Sequence, residues 1–343
     1  MLWRISEISH TNSCADLSTP LFTRTATKRV RIVWVLLQGM PPNTRNRKRA
    51  KAAAAPDACK AMLELTHDEL EVIVQISGGA LKPQATAHLS STCRLLHERM
   101  APLLETLKTE RLAALALCRH PAVIGMTASR LYAATEIRCV VRSAAEGLRG
   151  NHAATFGMLF RTNALPQLQQ LRLTGNRLGD DGIRQMIGGM RQRGALPELR
   201  MLTLASTGFG EGAARALADA LAAGALPSLA VLHLGDNQIG DGSSLALLLA
   251  RLRDAPRLTR LHVHGNALTH ASVAKLLAPP VALQSVSMLN LSNNRIGDEG
   301  MAALATAIRG GSLPQLTELL LHANSHASAE ARAEALAALH NRS

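Results

Sequence analysis

The sequence has few aromatic residues, few cysteines and no long apolar run, and each shortage excludes a class of protein. Aromatics make up 2% of the 343 residues, which argues against a base-stacking surface for single-stranded nucleic acid. The five cysteines are odd in number and absent from the C-terminal half, as is typical of reduced thiols inside cells. The apolar run at 30–40 contains Arg31 and is too short to span a bilayer. We therefore expect a soluble protein of the cytoplasm or nucleus.

Familiar catalytic motifs are also missing. The sequence contains no G-x-S-x-G, H-E-x-x-H or Walker motif, and its cysteines have no companion His and Asn arrangement that the sequence can justify. We therefore expect an interaction protein that has no enzymatic activity and needs no cofactor.

The positive charge is concentrated near the N-terminus. Lysine and arginine number 38 against 25 acidic residues, a formal charge of +13, and residues 1–55 hold ten of the basic residues beside only Glu7 and Asp16. Basic and acidic side chains alternate in residues 165–343, so we do not expect nucleic-acid binding there. We interpret residues 1–56 as a disordered basic leader. Within it, RNRKRAK at 45–51 fits a nuclear-localisation or polyanion-binding cluster, and Met40 offers an alternative start.

The C-terminal half is built from a repeated pattern, L-x-x-L-x-L-x-x-N-x-L. Two-residue apolar spacing, typical of a strand, changes in each copy to helical spacing. Six copies follow one another at intervals of 28 to 31 residues. The Asn position, which is Thr in the second copy, is occupied by Asn176, Thr207, Asn237, Asn266, Asn294 and Asn324.

This pattern resembles the leucine-rich repeat family, and a repeat of this length with a full helix resembles the ribonuclease-inhibitor-like class. The resemblance covers about residues 165–326. It implies an α/β solenoid, an open horseshoe with parallel strands inside and helices outside. We assign residues 165–343 to this domain, with a C-terminal capping helix from Ser328, because a solenoid must close its ends. Residues 104–164 are expected to form a helical N-terminal cap, ending in the helix of a degenerate first repeat at 151–164.

Glycine and aspartate mark the start of the repeat helices. Gly179, Gly240 and Gly297 provide a permissive turn. The aspartate that follows each of them, at 180, 241 and 298, is expected to cap its own helix.

Side chains between the core leucines of each strand should face the concave side of the solenoid and form a broad, mixed surface suited to a protein partner. Arg260 and Met288 are the expected anchors, since Arg and Met are enriched at interface cores. The residues predicted to bind the partner are Arg172, His233, Arg260, His262, His264, Met288 and Asn290.

Three of these residues are histidines on neighbouring strands. Imidazoles at the spacing of His233, His262 and His264 can hold zinc. The alternative is a polar binding surface that contains histidines, and the lack of a carboxylate or cysteine in the group favours it. The sequence therefore predicts no metal site.

Residues 61–103 form a separate module in the sequence. Leu70, Ile73 and Val74 lie at helical spacing, a Gly-Gly break follows, and Pro83 opens a second helix. This segment resembles an F-box, the helical module that docks on the adaptor of a cullin RING ubiquitin ligase. The resemblance implies that Leu65, Leu70 and Ile73 bind the adaptor. Thr66 and Leu96 stand where the family usually has Pro and Trp, and a plain helical hairpin is the alternative.

The resulting hypothesis is a protein-protein interaction protein that holds its partner on the concave face and acts as a substrate receptor of a ubiquitin ligase. Two alternatives stay open. One is a regulator similar to the activators of the Ran GTPase, in which Arg177 or Arg295 would assist GTP hydrolysis. The other is an inhibitor or sensor scaffold without a ligase role.

Overall fold

The computed structural model describes residues 94–123, 126–139, 141, 147–161, 164–191, 196–237, 239–240, 243–277 and 283–341. The chain divides into two compact units, residues 1–108 and 109–343. Only 94–108 of the first unit are described. The leader at 1–56, and Leu65, Leu70 and Ile73 of the F-box-like segment, lie outside the described residues.

Short strands alternate with helices along the described chain. Two helices come first, α1 (Arg94–Arg119) and α2 (Ala128–Tyr132). The elements that follow are β1 (Glu136–Arg138), α3 (Gly150–Arg161), β2 (Gln170–Arg172), α4 (Gly179–Gly188), β3 (Met201–Thr203), α5 (Glu211–Ala222), β4 (Val231–His233), α6 (Ser243–Arg251) with a 3₁₀ turn at Leu252–Asp254, β5 (Arg260–His262), α7 (His270–Leu277), β6 (Met288–Asn290), α8 (Asp298–Arg309), β7 (Glu318–Leu320) and α9 (Ala329–His340).

The described strands form one open parallel sheet in chain order, from β1 to β7. Each strand pairs with the next in the same register, so that Leu171 lies beside Leu202 and Leu232 beside Leu261. These central residues are buried, and Leu289 of β6 is fully so. Buried residues of the helices, such as Leu217 and Leu304, complete the core. The α/β solenoid expected from the repeats is therefore confirmed.

The region expected to be a helical cap, 104–164, also contains a strand. In β1, Ile137 is fully buried and pairs with Leu171 of β2. Ala134 and Cys139 are buried two or three residues away, where later repeats have leucines. Burial raises the pKa of the Cys139 thiol to about 12, so it packs as an apolar group. The expectation of helices alone was wrong because this repeat lacks leucine in its strand.

Two other details concern the boundaries of the cap. Helix α1 runs without interruption across the boundary expected between residues 103 and 104. The helix expected at 151–164 is present as Gly150–Arg161.

Among the described residues, no helix combines the length and the apolar character needed to cross a bilayer.

A ladder of buried asparagine amides joins neighbouring repeats. Asn237 Oδ1 accepts hydrogen bonds at 3.0 Å from the backbone N–H groups of residues 207, 208 and 209 in the preceding repeat. Its Nδ2 donates to the Leu204 carbonyl of that repeat and to its own Leu234. Buried backbone groups need such partners. Asn176, Asn266, Asn294 and Asn324 also accept from and donate to the preceding repeat.

The second repeat breaks this ladder. Thr207 occupies the asparagine position, and its hydroxyl donates to the carbonyl of Leu204 in its own repeat at 2.7 Å. Among the described residues, its side chain makes no bond to the preceding repeat. The joint between β2 and β3 therefore lacks the amide contact that the other described joints have.

Aspartate links repeats in a way that the sequence did not predict. The Asp180 carboxylate accepts from the N–H groups of Gly210, Gly212 and Ala213, at the start of the next helix, α5. Asp298 likewise accepts from Ser328 in the following repeat. The expectation that each aspartate caps its own helix was wrong for these two positions, and Asp241 lies outside the described residues. Each of these two carboxylates caps the helix of the following repeat instead of its own.

We expect Asn237→Thr to lower the free energy of unfolding by roughly 3 kcal/mol. Threonine fits this position, as Thr207 shows, but it would leave three N–H groups without their acceptor. Two of them, at residues 207 and 209, are buried, and each unpaired buried donor costs about 1–3 kcal/mol in mutational series. Chemical denaturation followed by circular dichroism measures the difference. Asn151→Thr, on the exposed face of α3, is the control and should change stability by less than about 0.5 kcal/mol. Equal effects of the two variants would contradict the role of the ladder.

Candidate binding face

The side chains that flank the buried leucines form straight rows across the sheet because the strands pair in register. We call this surface the strand face. Its first row runs from Glu136 to Glu318 and contains Gln170, Met201, Val231, Arg260 and Met288. Its second row runs from Arg138 to Leu320 and contains Arg172, Thr203, His233, His262 and Asn290.

The structure brings the predicted residues of this face together, but their environments differ. Arg172 Nη2 donates to Gln170 Oε1 at 2.7 Å, and its Nε lies 3.3 Å from Glu136 Oε1. Arg260 is exposed, and within the described residues it forms no ion pair. Its neighbour Met288 is half-buried. Of the two predicted arginines, Arg260 is therefore better placed than Arg172 to meet a carboxylate of a partner.

The three histidines form a compact cluster, which we call the histidine cluster. His233 and His262 are paired on β4 and β5 with ring centroids 4.7 Å apart. The His264 ring is 5.2 Å from that of His233 and 6.4 Å from that of His262. One ring nitrogen of each residue lies within 4.8 Å of those of the other two.

Two of these imidazoles are held neutral. Burial lowers the pKa of His233 to about 4, and the neighbouring His262 and His264 add to this effect while Asp236 opposes it. Burial is also the largest cause that lowers the pKa of His262, and the neighbouring His264 and Arg260 lower it further. At neutral pH both rings therefore keep an unprotonated nitrogen.

Sequence reasoning missed a carboxylate beside the cluster. Asp236 Oδ2 lies 3.4 Å from His264 Nε2. Asp236 has a φ of 54°, a left-handed turn conformation, and Gly175, Ser206, Gly265, Asn293 and Ala323 share it at the same repeat position. The turn before each ladder position recurs in the sequence and could have drawn attention to Asp236. The direction in which this turn points the Asp236 side chain could not be deduced from spacing.

Gly235 provides the space for the His264 ring. A side chain at Gly235 would collide with that ring, since an added Cβ would overlap His264 Cε1. The glycine thus lets the ring lie over the end of β4, close to His233.

The two arginines considered for a GTPase-activating role lie elsewhere. Arg177 and Arg295 are both exposed in the turns that follow β2 and β6. Each directly follows a ladder asparagine, outside the rows of the strand face.

Three segments of the chain, residues 165–185, 225–247 and 283–305, match the sequence model of the family described as "Leucine Rich repeat". These segments are leucine-rich repeats. They include β2, β4 and β6, with the helices or turns that follow. The leucine-rich repeats of this chain therefore supply the strands that carry Arg172, His233 and Met288.

The Tonsoku-like protein of Mus musculus is a curated relative. It is 26% identical over 262 residues, which cover 67% of this chain and 19% of that protein. The chain thus spans about a fifth of the length of this relative.

Two solved structures of Listeria monocytogenes strain 4b F2365 are also similar. Internalin C2 has 21% identity and a TM-score of 0.37, and the match covers 63% of this chain and 85% of that one. The internalin inlF has 16% identity and a TM-score of 0.19, with 68% and 93% covered.

The half-buried His233 predicts a loss of stability in acid. Folded His233 stays neutral down to a pH of about 4, whereas the unfolded chain takes up its proton near the ordinary pKa of 6.5. The free energy of unfolding should therefore be highest above pH 6.5 and fall as the pH is lowered towards about 4. Denaturant titrations at several pH values measure this slope, which should be shallower in His233→Gln.

The exposed His326 provides the matched control for this experiment. His326→Gln should keep the wild-type slope. Parallel slopes for wild type and His233→Gln would show that His233 does not contribute to the pH dependence.

Proposed function

We propose that this chain is a binding scaffold that holds a protein partner on the strand face, with Arg260 and Met288 as anchors. The observation that carries the proposal is the first row of the face. There, half-buried Met201, Val231 and Met288 lie in register with exposed Arg260 on neighbouring strands.

The composition of this row fits a protein interface. Partly exposed methionine and valine side chains offer apolar surface, and removing that surface from water favours association. Arginine and methionine are enriched in interface cores, and a few such residues usually account for most of the binding energy. A partner segment with an apolar side chain and a nearby carboxylate would complement Met288 and Arg260.

The size of the face also favours a macromolecule. Adjacent strands lie about 4.8 Å apart, so the described strands span roughly 29 Å from β1 to β7. Small-molecule sites are usually concave and enclose most of the ligand. The apolar cavity lined by Leu245, Leu249 and Val273 lies among core residues of α6 and α7 and not on this face.

The test compares two double variants of the full chain. Arg260→Ala/Met288→Ala removes both anchors, and each substitution at a binding hot spot should weaken partner binding by about 2 kcal/mol, or roughly 30-fold. Quantitative affinity purification with mass spectrometry identifies proteins that are lost with this variant. Calorimetry with each purified candidate then measures the change in affinity.

The matched control is Arg177→Ala/Arg295→Ala, which removes exposed arginines from the turns. It should leave the partners unchanged. Loss of partners with this control, but not with Arg260→Ala/Met288→Ala, would overturn the proposal. It would favour the alternative in which the turn arginines act on a GTPase.

A ligase role is a further part of this proposal and depends on the F-box-like segment. If Leu65, Leu70 and Ile73 bind a cullin adaptor, the protein would bring a captured substrate to the ubiquitin machinery. Its contribution would then be effective concentration and not chemistry. The support is the helical spacing of Leu70, Ile73 and Val74 in the sequence.

The ligase role can be tested without disturbing the described helix α1. Removing residues 61–103 would delete its first ten residues, which begin at Arg94, so the better deletion is 61–93. We expect the adaptor and cullin to co-purify with the full chain and to be lost from this deletion and from Leu70→Asp/Ile73→Asp, while strand-face partners remain. An unchanged set of partners in all three proteins would refute the ligase role and leave the scaffold proposal intact.

A further inference from the structure

The histidine cluster has the donor atoms and the support of a metal site. We propose that His233, His262 and His264 bind one divalent transition-metal ion of the zinc type, with one imidazole nitrogen each. The inference does not depend on the partner-binding proposal. It reverses the expectation from the sequence, which favoured a polar surface because no carboxylate was recognised in the group.

The ligand type selects the class of metal. Neutral imidazole nitrogens suit zinc, copper, nickel and iron, whereas magnesium and calcium prefer oxygen ligands. The buried His233 Nε2 has no hydrogen-bond partner among the described residues. A buried nitrogen without such a partner carries a desolvation cost that a metal bond would offset.

The neighbours of His264 fix which of its nitrogens is free. The Ser292 N–H donates to Asn290 Oδ1 at 3.0 Å, which turns the Asn290 amide nitrogen towards His264 Nδ1 at 3.4 Å. A donor facing Nδ1 requires that Nδ1 be unprotonated. The proton then lies on Nε2, which is 3.4 Å from Asp236 Oδ2. His264 therefore offers Nδ1 to the metal, which would displace the Asn290 N–H from this nitrogen.

Asp236 completes a known type of support for a metal ligand. Metal-binding histidines commonly donate their other N–H to a carboxylate, which fixes the ring and increases its basicity. Here the carboxylate is held in place by the turn, because Asp236 packs against Gly265, where an added Cβ would collide with Asp236 Oδ1. Asp236 is thus a positioning residue and not a ligand.

The movement needed for coordination is small. A tetrahedral zinc ion with Zn–N distances of about 2.0–2.1 Å would bring the nitrogens to roughly 3.4 Å from one another. They now lie within 4.8 Å of one another, so small side-chain movements, mainly of His233 and His262, would close the site. Three protein ligands leave a fourth position for water or for a group of a bound molecule.

Zinc binding to the purified full chain is the first measurement. Wild type should bind one more equivalent of Zn²⁺ in equilibrium dialysis than His233→Gln/His262→Gln, and Zn²⁺ should raise the melting temperature of the wild type only. The chain also contains cysteines, so Co²⁺ substitution gives a second readout. The equivalent lost in the variant should show the visible bands of tetrahedral Co²⁺ with nitrogen ligands and no thiolate charge-transfer band.

Three further variants make the result specific. His120→Gln/His152→Gln removes another histidine pair, with ring centroids 4.5 Å apart, and should keep the wild-type stoichiometry. Asp236→Asn should keep the bound equivalent but weaken it about 10- to 100-fold. His264→Gln removes a ligand that lies beyond the end of β5. It should lose the bound zinc equivalent, and it serves as a second test if His233→Gln/His262→Gln is less stable than the wild type.

The outcome that overturns the proposal is clear. If the wild type, His233→Gln/His262→Gln and His264→Gln bind the same number of Zn²⁺ equivalents with the same affinity, the cluster is not a metal site. The proposal would also fail if all variants bound the same number of Zn²⁺ equivalents and only His120→Gln/His152→Gln bound them more weakly. That result would assign the bound zinc to the His120–His152 pair.

Discussion

The buried asparagine amide is the interaction on which the rest of the structure depends. Three-residue strands make few main-chain hydrogen bonds, and each leads directly into a turn whose N–H and carbonyl groups face the interior. The amide of Asn237 has both donors and an acceptor, so it can satisfy these groups in its own repeat and in the preceding one. An apolar residue has neither group, and a hydroxyl has a single donor, which Thr207 uses within its own repeat, whereas the amide has two.

The ladder also determines what the strand face displays. Because neighbouring repeats are held in register, by the amide at every described joint except that of Thr207, strand residues align across the sheet. Side chains distant in sequence thereby become neighbours. His233 and His262 meet in this way, as do Arg260 and Met288. The turn that carries the asparagine also directs Asp236 towards His264. One repeated structural element therefore positions both the proposed protein anchors and the proposed metal ligands.

Much of this could be predicted from the sequence, because leucine and asparagine recur at fixed intervals and report the strand and its turn directly. The two rows of the strand face could be predicted from the same periodicity. Strand β1 was missed because Ile137 and Cys139 fill leucine positions with other apolar side chains. The contacts of Asp180 with α5 and of Asp236 with His264 were missed for a different reason. They depend on where a side chain points from a turn, and spacing along the chain does not contain that information.

The exception at Thr207 has a consequence for how the molecule opens. Solenoid stability is close to a sum of the stabilities of single repeats and of the contacts between neighbours, so the joint at Thr207 must be held by other bonds. Main-chain bonds such as Leu173 N to Thr203 O cross it, and the Asp180 carboxylate accepts from three N–H groups at the start of α5 across the same joint. A carboxylate on the helix side thus takes the place of an amide on the strand side. Loss of that carboxylate would let the block that ends with β2 open as a cooperative unit of its own, and amide hydrogens of β2 would then exchange with solvent before those of β4 and β5.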